Sequence, residues 1–127
     1  MRRAAAGISP KRVAAGDRLE RDALAGVVAH AKLKPLLAEL TPEHFHDPLH
    51  RALCTHLVDG TPLDGAGVVL LAELDARAEA EGIDEETGTE LLLRLREREL
   101  RSELQHAGDE RTKELQEALT RIRAAYD

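Results

Sequence analysis

Two helix starts at close range constrain this chain more than any other feature. Both lie in Leu40-Thr-Pro-Glu-His-Phe-His-Asp-Pro-Leu-His-Arg-Ala-Leu53. Thr41-Pro42 and Asp47-Pro48 each place an oxygen-bearing side chain before a proline. The oxygen can accept from an unpaired amide of the first turn, and a proline at the first helical position has no amide proton to leave unbonded. Phe45, the only phenylalanine of the 127 residues, stands between the two starts. Such a segment turns one short helix into the next around a single large apolar anchor.

The rest of the core has to be aliphatic. Hydrophobic residues make up 43% of the chain, but aromatics only 2%. Leu, Val and Ala at helical spacing, with charged residues at 33%, predict an all-α protein with wet outer faces. Residues 1–16 are small, basic and broken by Gly7, Pro10 and Gly16, which reads as a basic flexible linker. Asp17 then caps a first helix, with Glu20 completing a capping box. Leu19, Ala23, Val27 and Ala31 share its face. Pro35 starts a second helix, Pro42–His46 forms a third turn, and a fourth helix runs from Asp47 to Gly60. Asp64 caps a fifth, with Val68, Leu71 and Leu74 inward, and Gly82 ends it. Residues 17–82 are thus expected to be a globular helical bundle that closes its own core.

From Asp84 onward Glu, Arg and Leu dominate. Leu93, Leu100 and Leu104 fall on one face of a first arm, and Leu115, Leu119, Ile122 and Tyr126 repeat at coiled-coil spacing on a second. Ala107-Gly108-Asp109 supplies a stop and a new cap. Residues 83–127 therefore read as a C-terminal helical hairpin, with Leu100 facing Leu115 and Leu93 facing Ile122. A single helix running through Gly108 is the rival, because one glycine costs only about 1 kcal/mol.

Charge and cysteine usage narrow the function. Net charge is −6, and residues 19–127 carry 23 acidic against 13 basic side chains. An acidic body repels phosphates, so direct nucleic-acid binding is not expected of it. One cysteine, Cys54, excludes an internal disulfide and fits the cytoplasm, where the protein is expected to reside. No apolar run reaches the ~20 residues of a membrane span. His44, His46 and His50 cluster, and His46 and His50 are four apart, a spacing that zinc sites use. His46 should precede the cap at Asp47, however, so the pair need not share a helix face. No accompanying ligand motif is present. The histidines are therefore read as surface and cap residues, with no metal, cofactor or catalytic residue expected. A small metal-dependent enzyme built on the cluster is the alternative from another class.

The segment LTPEHFHDPLHRAL resembles the helicase-binding C-terminal domain of DnaG-type bacterial DNA primases, and the related N-terminal domain of the replicative helicase. Both carry an ℓ-x-P-E-x-F-x-x-P-x-H/Y-R-x-ℓ-ℓ pattern, ℓ being aliphatic. The matching anchors are Pro42, Glu43, Phe45, Pro48, His50 and Arg51, followed by the turn Gly60-x-Pro62-x-Asp64. The opening Leu19-Glu-Arg-Asp-Ala-Leu24 is similar to the primase version. The resemblance covers about residues 19–127. It implies a non-catalytic module that docks on the N-terminal domains of the hexameric replicative helicase and recruits or regulates primase at the fork. A self-associating domain like the helicase N-terminus is the alternative within this resemblance. The distal hairpin, at Arg98, Arg101, Leu104, Leu115 and Leu119, is the expected partner-binding surface: leucines for an apolar groove and arginines for an acidic rim.

Overall fold

A computed structural model describes residues 10–105 and 109–126, with side chains described over 14–105 and 112–125. Six α-helices carry it: α1 Pro10–Ala29, α2 Lys34–Glu39, α3 Pro48–Asp59, α4 Gly65–Ala80, α5 Glu85–Gln105 and α6 Asp109–Tyr126. Single 3-10 turns, Ala31–Leu33 and Pro42–His44, flank α2. There is no strand among the described residues, so the all-α expectation holds.

The helix ends follow local chemistry. Asp47 accepts from the Leu49 amide at 2.8 Å, Asp64 from Gly67 at 2.8 Å and Asp84 from Thr87 at 2.7 Å. Gly82, at φ 64°, lets the Ile83 amide reach back to the Ala78 carbonyl at 2.9 Å and stops α4.

The N-terminal reading needs correction. Helix α1 already starts at Pro10, so residues 10–16 are helix, while the linker reading of residues 1–9 lies outside the described residues. Asp17 and Glu20 are interior helix positions, not a capping box. The proline suits a first turn, and the alanines after it carry the helix through the modest penalty of Gly16.

Helix α1 is the central element. Ala23, Leu24, Ala25 and Val27 are fully buried, which a surface helix with one apolar stripe cannot achieve. It packs against α3, α4 and α5. From α4 come Leu70, Leu74 and Ala78, one face at spacing four. The expected inward Val68 instead faces solvent at 56% exposure, as does Val69. Their apolar character did not reveal the face; the four-residue register of Leu70, Leu74 and Ala78 does.

Helix α5 meets α1 at two glycines. A Cβ on Gly26 would lie 3.0 Å from the Gly88 Cα, and one on Gly88 would lie 2.6 Å from the Leu33 Cδ1. The backbones approach because neither residue has a side chain. Below this crossing Leu92 and Leu95 enter the main core. The division at residue 83 is therefore not a boundary between two cores: 17–82 does not close its own core, because α5 supplies part of it. Only the far half of the hairpin has a separate core, Leu100, Leu115 and Leu119, with Leu104, Ala118 and Ile122 packed around it. This antiparallel pairing excludes the single-helix rival and puts Leu100 with Leu115 as expected; the stop expected at Ala107-Gly108 lies outside the described residues.

Candidate functional site

The segment with two helix starts folds as a joint against α1 and α5. Phe45 caps the Pro42–His44 turn in extended backbone and is fully buried. Its carbonyl accepts from Arg51 Nε at 2.7 Å, so the first turn of α3 holds the chain that enters it. Pro42 and Pro48 sit at the starts of their elements, as expected.

The centre of the joint is Glu20, a carboxylate only 1% exposed. Its Oε2 accepts from the His46 amide at 2.9 Å and from Arg98 Nη2 at 2.7 Å. Its Oε1 accepts from His50 Nδ1 at 2.8 Å and from the Asp47 amide at 3.3 Å. Burial alone would raise its pKa. The His50, His46 and Arg98 hydrogen bonds outweigh that and hold it at about 2, against an ordinary 4.5. Arg98 Nη2 also donates to the His44 carbonyl at 2.6 Å. One carboxylate and one guanidinium thus tie three elements that are far apart in sequence.

His44 is also buried, at 3% exposure. Arg96 Nη1 lies 3.1 Å from its Nε2. Its Nδ1 accepts from the Thr41 amide at 3.1 Å, the reciprocal half of a capping box. Burial first and the Arg96 charge second push its pKa below the usual 6.5. His46, by contrast, keeps its ring in solvent. The three imidazoles that are close in sequence do not form a shared ligand set. Among the described residues, Asp17, Asp47 and His50 do bring ligand atoms within 4.8 Å of one another. Cys54 is buried, and burial above all pushes its thiol up to about 11, which makes it an inert apolar filler.

The expected partner surface is rearranged. Arg98 is part of the joint instead of a rim, and Leu115 and Leu119 are buried against α5. Leu104 is partly buried with them, and Arg101 stays exposed beside Glu97 at 3.4 Å. The leucine stripe is the hairpin's own seam. What remains open is a groove of about 330 Å³ between α2, α5 and α6, floored by Leu36, Leu40, Leu93 and Ile122 and flanked by Arg96, Arg121 and Glu39.

Sequence reading missed Glu20 as the hub. The signal was there: Glu20, Leu24 and Val27 share one helical face, and a carboxylate on an apolar stripe needs partners. No helix among the described residues is long and apolar enough to cross a membrane. The chain matches no protein-family model, no curated protein and no solved structure.

Proposed function

We propose that this chain is a non-catalytic docking module of a DnaG-type primase, and that its partner is the N-terminal region of the replicative helicase. The observation that carries the reading is the joint. Phe45, His50 and Arg51, three of the residues on which the resemblance rests, meet in one structural unit, and Pro42 and Pro48 start the elements on either side of it. The pattern is thus the set of residues needed to build this corner, which gives the resemblance a physical basis. The docking surface moves from the hairpin seam to the groove between α2, α5 and α6. It offers an aliphatic floor for a partner helix, with Arg96 and Arg121 for acidic side chains at its edges.

Calorimetry with the N-terminal domain of the helicase from the same organism tests the reading. A specific complex that Ile122→Asp and Arg121→Glu weaken at least ten-fold is the expected result. No complex with the wild-type chain rejects it. Self-association into a stable oligomer by light scattering, without helicase binding, would favour a helicase-like self-assembling domain.

A further inference from the structure

We infer that Asp17, Asp47 and His50 form a binding site for a first-row divalent transition metal, with Zn2+ as the working probe. This goes beyond helicase docking and stands independently of it. It also departs from the expectation that the histidines of this segment bind no metal. Only His50 of the sequence cluster takes part; its co-ligands are the cap of its own helix and a residue of α1.

The argument starts from the two nitrogens of His50. The ring is 1% exposed. Its Nδ1 lies 2.8 Å from the Glu20 carboxylate, which can only accept, so Nδ1 carries a proton. In the neutral ring Nε2 then keeps a lone pair. Nε2 faces Asp17 Oδ1 across 3.8 Å, beyond hydrogen-bond reach, and that oxygen is itself an acceptor. A nitrogen of a buried ring thus faces carboxylate oxygens with a gap between them. The gap has the scale of a small cation. Bonds of about 2.0–2.2 Å to nitrogen and oxygen put neighbouring ligand atoms roughly 3–3.5 Å apart, so separations within 4.8 Å close by a modest movement of the half-exposed Asp17 side chain.

The surroundings are those of a metal site. An imidazole whose other nitrogen donates to a carboxylate is the usual second layer of support, because it fixes tautomer and ring direction. Glu20 supplies it, and its own four hydrogen-bond donors hold it in place. Asp47 uses Oδ1 to cap α3 and Asp17 uses Oδ2 for Arg21, at 3.1 Å, so each carboxylate keeps a second oxygen. One imidazole and two carboxylates form a borderline donor set, which favours Zn2+, Co2+ or Mn2+ over Mg2+ or Ca2+. Asp17, 40% exposed, leaves an entry path and room for water ligands. A bound ion would clamp α1 to the start of α3.

Chelator-treated full-length chain, titrated with Zn2+ in competition with a chromophoric chelator, tests this. One Zn2+ per chain is expected, with an X-ray absorption shell of nitrogen and oxygen that includes one imidazole. Asp17→Asn and Asp47→Asn should each weaken binding at least ten-fold, and the double variant should abolish it. Both changes spare the fold, since Asn caps a helix as well as Asp and Asp17 lies at the edge. Circular dichroism of the double variant checks this. Zn2+ uptake that survives in the folded double variant would overturn the site, as would no uptake at all, meaning that a proton on Nε2 fills the gap. Equal affinity for Mg2+ would overturn the choice of metal class.

Discussion

The joint at residues 41–51 and the far half of the α5–α6 hairpin are both helical corners, yet they are held in different ways. The joint joins α1, α3 and α5 through a buried carboxylate whose hydrogen bonds are satisfied from four directions, and it wraps a fully buried phenylalanine. The far hairpin has three buried leucines in a single seam and exposed pairs such as Arg123 with Glu97 at 2.9 Å. Exposed pairs contribute roughly 0–1 kcal/mol. A buried carboxylate held by this many donors specifies one geometry, because any other arrangement strands a charge away from water. A seam of leucines specifies only proximity. The joint should therefore unfold with the whole molecule and the far hairpin should open first.

The strongest way to break this comparison is Phe45→Ala. The side chain is fully buried in the main core, and its removal should lower stability by about 3–5 kcal/mol if the site cannot collapse. Urea unfolding measures it, and an unchanged midpoint would remove the joint from the core.

Acid probes the same corner through Glu20. Its pKa is lowered on folding from 4.5 to about 2, so its contribution is fully present above pH 4.5 and is lost as pH falls toward 2. That shift corresponds to about 3 kcal/mol. His44 adds in the same direction, beginning below 6.5, because its folded form holds the proton less readily. Glu20→Gln should flatten the dependence between pH 4.5 and 2 in urea titrations at a series of pH values. A slope equal to the wild type would show that other carboxylates dominate.

The smallest effect is expected in the hairpin. Leu119→Ala should lower stability by about 2 kcal/mol, the low end for a buried leucine, since its seam is partly open to solvent. Hydrogen exchange should then speed up in α6 and leave the α1 amides protected. Equal acceleration in both helices would make the molecule one cooperative unit and erase the difference.

Local signals carried much of this fold. Thr41-Pro42, Asp47-Pro48, Asp64, Gly82 and Asp84 mark element ends at the places where the structure has them, because capping and turn chemistry acts within a few residues. The leucine spacing of the hairpin paired Leu100 with Leu115 for the same reason. The start of α1 was misread where Pro10 and Gly16 looked like breakers, and Val68 was turned inward by its hydrophobicity alone. The site fared less well. Phe45, His50 and Arg51 are legible as anchors, but spacing alone makes Glu20 a cap and Arg98 a rim residue.

An all-helical chain, the ends of most of its helices and the corner around Phe45 follow from side chains acting on their own or adjacent turns. Long-range packing alone puts α5 into the main core, gathers His50 and Arg98 around Glu20 and brings Asp17 to face His50. The first of these follows from α1 and α5 crossing at Gly26 and Gly88, where the absence of two side chains lets residues 62 positions apart touch. A contact of that kind is set by the packing of whole helices, and no local pattern encodes it.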